Sequence, residues 1–227
     1  MFDNDLYIRN RKKFVEQMED GALAIFNSND IFPISADSTM PFQQHRDILA
    51  LSGVDQEESI LVIFPDSFNE KHREILFLRE TNEHIAVWEG EKLTKENAFK
   101  TSGIKTVYWL SDFNSILKQI MAEAKKVYIN TNEHTRANTE VETREDRFIK
   151  KLQIDYPAHQ YMKSAPIMHK IRSIKGNEEI YFLLSYLRLG NSLIFFVEVF
   201  IFLISSKSFL KSLTIQINKR PPKIFIK

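Results

Sequence analysis

Residues 106–130, TVYWLSDFNSILKQIMAEAKKVYIN, decide the architecture. Residues 106–110 are rich in aromatic and β-branched side chains, the composition of a strand. Ser111 and Asp112 then offer helix caps, and Phe113, Ile116, Leu117, Ile120, Met121 and Ala124 recur at helical spacing between Lys118, Gln119 and Glu123. Lys125 and Lys126 suit the negative end of that helix, and residues 127–130 form the next strand. Strand, helix and strand in immediate succession predict an α/β domain in which this helix serves packing. Full burial of Leu or Ile is worth roughly 1.5–3 kcal/mol. Leu117→Asp or Ile120→Asp is therefore the most damaging change expected in this region.

Towards the amino terminus the same alternation continues. Phe14, Val15 and Met18 mark an amphipathic helix over residues 9–19 that Gly21 ends, and residues 22–26 form an apolar strand. Residues 27–30, NSND, read as a polar turn. Pro33 and Pro41 make residues 31–44 a long loop. Asp37, Gln43, Gln44, His45, Arg46 and Asp47 crowd there, and surface-turn or element-edge structure is the expectation ahead of a recognition role. Residues 48–51 suggest a short strand, whereas residues 59–64, SILVIF, have the unbroken apolar run of a strand buried on both faces. Residues 74–78 and 84–88 are expected to be neighbouring strands around a turn at 80–83, and Thr94 starts a short helix that Gly103 stops. His72 and His84 have no partner at metal-ligand spacing and read as exposed strand-end imidazoles.

Towards the carboxyl terminus, a charged helix is expected from Asn138 or Thr139, anchored by Phe148, Ile149 and Leu152. Glu133, Glu140, Glu142, Glu145 and Asp146, within the charged stretch 132–147, read as a solvated face rather than an acid–base pair. Pro157 interrupts the chain, and residues 167–174, rich in basic side chains, read as a connector.

Composition bounds the function. The 227 residues contain no cysteine, which removes disulfides and thiol nucleophiles and fits a reducing, cytoplasmic setting. No secretion signal is visible in the opening residues. The net charge of +1 is an average of two unlike parts. After Ile180 the chain carries seven basic side chains against one acid, Glu198, and seven of the 18 phenylalanines; the part before it is acidic. No clustered basic surface points to nucleic acid. No Ser–His–carboxylate set or phosphate-binding glycine loop stands out, so no catalytic, cofactor-binding or metal-ligating residue is assigned.

Four segments resemble the amino-terminal domain of aminopeptidase P, the Xaa-Pro aminopeptidase family: residues 21–33 (GALAIFNSNDIFP), 37–47 (DSTMPFQQHRD), 51–64 (LSGVDQEESILVIF) and 71–92 (KHREILFLRETNEHIAVWEGEK); residues 164–180 (SAPIMHKIRSIKGNEEI) resemble the joint where that domain hands over to the catalytic one. The resemblance implies a mixed, roughly six-stranded sheet flanked by helices over residues 1–163. Residues 164–180 then form a linker and the start of the first catalytic-domain helix. It also implies a metallopeptidase that releases the residue before a penultimate proline with a pair of manganese ions. Those ions belong to a separate "pita-bread" domain for which residues 181–227 leave no room, so no cofactor is expected in this chain and the chain alone is expected to be inactive. In the intact enzyme the implied roles of this domain are oligomerisation and control of access to the active site. Relative to the family, Gln43 stands where arginine is common, and Ile48, Leu49 and Ala50 where larger aromatics occur. Gly176 replaces a serine and is expected to cap with Glu179.

Residues 181–227 depart from the family in both motif and composition. A truncated or frame-shifted coding sequence is the leading reading, followed by a membrane-surface segment and by an extension covering the domain. Residues 193–204 supply only 12 positions of the about 20 that a transmembrane helix needs. An accidental tail would make the full chain aggregation-prone, whereas a chain ending near Lys163 or Lys170 should be soluble. Self-association or a full-length family subunit is the expected partner; the alternative is an independent binding or regulatory module.

Overall fold

The computed structural model describes residues 3–82, 86–87, 90–132, 134 and 141–181. The tail at 182–227, His84, Glu133 and Glu140 lie outside the described residues. The chain divides into two compact units, Met1–Ile174 and Lys175–Lys227. In the second unit the Gly176 N–H donates to Glu179 Oε2 at 2.9 Å, the cap expected from the sequence, and Lys175 pairs with the same side chain at 3.2 Å.

The first unit is built on a six-stranded mixed sheet ordered β6-β5-β4-β1-β7-β8. Its strands are β1 (Ala22–Asn27), β4 (Ile60–Ile63), β5 (Glu74–Leu78), β6 (Thr106–Trp109), β7 (Lys126–Ile129) and β8 (Gln160–Lys163). The β1–β4 and β4–β5 pairs are antiparallel, and β1–β7, β7–β8 and β5–β6 are parallel. Alternation inside continuous apolar runs distributes side chains to two cores. Ala22, Ala24, Phe26, Leu61 and Ile63 bury with Phe14, Leu51 and Met168 on one face. Leu23, Ile25, Ile60 and Val62 bury with Ile120 and Leu152 on the other. The first face is covered by α1 (Asn4–Val15), α2 (Arg46–Ser52), α3 (Lys95–Ser102) and α6 (Ala165–Ser173). The second is covered by α4 (Phe113–Glu123) and α5 (Arg144–Asp155). All six stripe residues of 113–124 are buried, as their spacing requires.

Several elements differ from their sequence reading. Residues 48–51 belong to helix α2 and not to a strand: His45 Nδ1 accepts the Asp47 N–H at the helix start, and Gly53 ends it in the left-handed region. Of the strand expected at 84–88, Ala86 and Val87 are described and are helical. The partner of β5 is therefore β4 on one side and β6 on the other. The 31–44 loop contains a small hairpin, β2 (Pro33–Ser35) and β3 (Ser38–Thr39). Helix α1 starts at Asn4 and ends at Val15, well before Gly21. A 3-10 turn at Leu110–Asp112 precedes α4, and neither Ser111 nor Asp112 caps that helix through its side chain. Helix α5 starts only at Arg144, where Thr143 and Asp146 form a reciprocal capping box. The supposed connector is α6, whose Ile167, Met168 and Ile171 are buried in the first core.

Arg11 links three helices. Its Nη1 donates to the carbonyls of Leu51 and Ser102 at 2.8 and 2.9 Å, at the carboxyl ends of α2 and α3, and its Nε pairs with Glu74 at 3.1 Å. A cation there satisfies carbonyls that a helix end leaves open and complements two helix dipoles. Both helices end in Ser-Gly with the glycine at positive φ, Gly53 at 70° and Gly103 at 72°.

Candidate functional site

A cleft of about 690 Å³ opens beyond the carboxyl ends of β1 and β7, the position where open α/β sheets present ligand sites. Asn29 enters from the chain after β1, and Thr131 and Asn132 from the chain after β7. The start of α2 supplies His45, Arg46 and Asp47, and α6 supplies His169 and Arg172. Five of the six residues singled out in the 37–47 loop thus line the cleft: Gln43, Gln44, His45, Arg46 and Asp47. Of these Gln44 is buried as a staple: its Nε2 donates to Val54 O, Gln56 O and Ser59 Oγ, while its Oε1 accepts the His45 N–H. Asp37 sits in the exposed turn of the β2–β3 hairpin and is absent from the cleft wall.

The site is cross-braced. Asp47 accepts from Arg172 Nη1 at 2.9 Å, joining α2 to α6 across 125 positions of sequence. His45 Nδ1 accepts the Asp47 N–H at 3.3 Å and lies 3.2 Å from Asn130 Nδ2. Two donors at Nδ1 fix the neutral ring with its proton on Nε2. Burial, offset by Asp47 and reinforced by Arg172, holds the His45 pKa below the usual histidine value. Asn130 is held in turn by Ser164, whose Oγ donates to Asn130 Oδ1 at 3.0 Å.

Glu145 stands behind the same strand ends. Its charged neighbours in sequence place it on a solvated face, yet it is only 8% exposed, because α5 starts after Thr143 and turns its second residue against β1. Its Oε2 accepts the Asn27 N–H at 3.1 Å, and its Oε1 has no hydrogen-bond partner. Burial pushes its pKa up to about 8, against the opposing pull of the Asn27 and Asn130 groups. The other described acids of that run behave as exposed ones: Glu142 pairs with Lys150, and Asp146 caps. His72, read from sequence as exposed, is 6% exposed as the last residue of the 3-10 turn Glu70–His72, with Asn69 Nδ2 3.3 Å from its Nε2. Among the described residues no three His, Asp or Glu side chains converge as metal ligands, so they offer no donor set for a manganese pair.

Fold and cleft together define a three-layer α/β domain with a mixed sheet and a polar site at its strand ends. Residues 7–128, more than half of the chain, match the family model described as aminopeptidase P, N-terminal domain, and the chain belongs to that family. It is similar to the Xaa-Pro aminopeptidase of Escherichia coli strain K12, 27% identical over 173 residues that cover 76% of this chain and 39% of the relative. Human Xaa-Pro aminopeptidase 3 is 28% identical over 103 residues, covering 44% of this chain and 20% of the relative. Among solved structures, a Bacillus anthracis chain assigned to aminopeptidase P superposes with a TM-score of 0.73 at 24% identity, covering 81% of this chain and 43% of that one. The low-pH form of E. coli aminopeptidase P gives 0.67 at 22% identity, covering 82% and 42%. These likenesses establish the mixed six-stranded fold. The chain spans about two fifths of the length of the E. coli relative.

Asn130, His169, Arg172 and the burial of Glu145 have no counterpart in the sequence reading. The polar residues that follow the apolar run of β7 are the one local signal for Asn130 to Asn132; the others meet the cleft only through folding.

Proposed function

We propose that this chain supplies the amino-terminal, non-catalytic domain function of a Xaa-Pro aminopeptidase, supporting self-association and access to an active site carried elsewhere in the intact enzyme. The observation that carries the reading is the family match over residues 7–128, seconded by relatives named Xaa-Pro aminopeptidases. Support for an association role comes from the β2–β3 hairpin, where Phe32, Ile34 and Met40 are each at least half exposed. Apolar side chains clustered at one projecting turn favour contact with another protein surface. The partner is a second copy or a full-length family subunit, and nucleic acid is not a partner. In the intact enzyme the chemistry is manganese-dependent release of the residue before proline, and the setting is the cytoplasm. Among the described residues no helix is long and apolar enough to cross a membrane.

Two measurements test this. The purified 227-residue chain is expected to release no amino acid from an Xaa-Pro peptide with added manganese; turnover would overturn the non-catalytic assignment. Sedimentation velocity should show self-association, or association with a full-length family subunit, that Phe32→Ser with Ile34→Ser weakens. An unchanged distribution in the double variant would remove the hairpin from the interface.

A further inference from the structure

Hydrogen-bonding capacity in the strand-end cleft is lopsided. His45 Nδ1 is occupied by two donors, so its Nε2 carries the proton, and that N–H has no protein partner among the described residues. Arg46 is exposed and has no ion-pair partner among the described residues. Arg172 engages Asp47, the single carboxylate among the described residues of the cleft wall, through one of its nitrogens. The Asn132 side-chain carbonyl oxygen accepts the His134 N–H, which leaves its amide N–H₂ as the free end. Two guanidinium groups, an imidazole N–H and an amide N–H₂ therefore border one concavity in which Asp47, the one acid among its described lining residues, is already paired.

Such a wall has little to offer a cation. Donors in excess of acceptors, with charge to match, suit an oxyanion, and guanidinium groups bind carboxylate and phosphate through parallel N–H groups. The volume is in the range of small-molecule sites. We infer that the cleft bounded by His45, Arg46, Asn132 and Arg172 binds a small molecule bearing a carboxylate or phosphate group. The bracing described above gives it preorganisation: Asp47 holds Arg172, and Asn130 with the Asp47 N–H holds His45, so few side chains have to be ordered on binding. This site is independent of the proposed aminopeptidase role, and its test involves no peptide hydrolysis.

Isothermal titration of the 227-residue chain with inorganic phosphate, and separately with succinate, at matched ionic strength is expected to give saturable binding of at least one. Sodium chloride should give none. Stronger binding of phosphate points to a phosphate ester as the ligand class, and stronger binding of succinate to a carboxylate. Arg46→Ala should weaken the binding about tenfold or more, the loss expected for one charge-assisted contact. Because Arg46 is exposed and supports no other residue, its removal should leave the unliganded circular dichroism and melting midpoint unchanged. Absence of saturable binding of both probes up to about 10 mM, well above the range of specific small-molecule sites, would overturn the inference. So would an Arg46→Ala variant that binds as the wild type does.

Discussion

Replacing Glu145 by glutamine should turn a pH-dependent part of the stability of this domain into a pH-independent one. In the unfolded chain the carboxyl titrates near 4.5; in the folded chain burial moves it to about 8. A folded pKa above the unfolded one means that the folded state holds its proton more tightly. The contribution to stability is then complete below pH 4.5 and is lost as the pH rises through 8. Each pH unit in that window is worth about 1.4 kcal/mol, so the full loss amounts to about 5 kcal/mol, with about 3 kcal/mol gone by pH 7. The side chain is 8% exposed, so solvent screening reduces this little. An amide in place of the carboxyl would keep an acceptor for the Asn27 N–H and could not ionise. Urea unfolding at pH 5, 6, 7 and 8 should show wild type and Glu145→Gln within about 1 kcal/mol at pH 5. They should then diverge by several kcal/mol in favour of the variant by about pH 8. Parallel stability curves across this range would refute the buried, proton-holding Glu145.

Two further perturbations separate local from tertiary effects. A Cβ at Gly53 would lie 2.3 Å from the ring of Tyr7, which is 7% exposed, whereas at Gly103 it would meet the flexible end of Ile8, 42% exposed, at 2.6 Å. Both alanine variants carry the left-handed backbone cost of about 1–2 kcal/mol, and Gly53→Ala adds about 1–3 kcal/mol of overpacking. Thermal denaturation should therefore rank Gly53→Ala as the more damaging, and the reverse order would contradict the packing described for α1. A shortened chain ending at Ile174 keeps α6, and one ending at Lys163 loses Ile167, Met168 and Ile171 from the core, each worth roughly 1.5–3 kcal/mol. The longer of the two should melt in one sharp transition and the shorter should not, in contrast to the solubility expected from sequence for an end near Lys163; equal midpoints would show α6 to be dispensable.

Legibility in the sequence followed how locally each feature is encoded. Residues 59–64 and 106–130 carry continuous or 3.6-periodic apolar patterns, and β4, β6, α4 and β7 appear where those patterns lie. Residues 48–51 are too short for a period to be distinguished, and the cap at His45 with the stop at Gly53 made them helical. Strand β8 has only two half-buried residues, because it lies at a sheet edge, so it carries no apolar run. At the cleft, His45, Arg46 and Asp47 stand out in sequence as a crowd of polar residues, but their partners Asn130 and Arg172 are 85 and 125 positions away.

By itself the sequence determined the α/β class, the two-faced helix at 113–123, the family to which residues 7–128 belong, and the break in composition near Ile180. These depend on periodicity, motif and charge, all of which are properties of neighbours along the chain. Only the tertiary structure decided that Glu145 is buried rather than solvated, that α6 is core rather than connector, and that Arg172 meets Asp47 beside His45. The physical reason is that burial and pairing are set by which strand ends and helix starts the sheet order β6-β5-β4-β1-β7-β8 brings side by side.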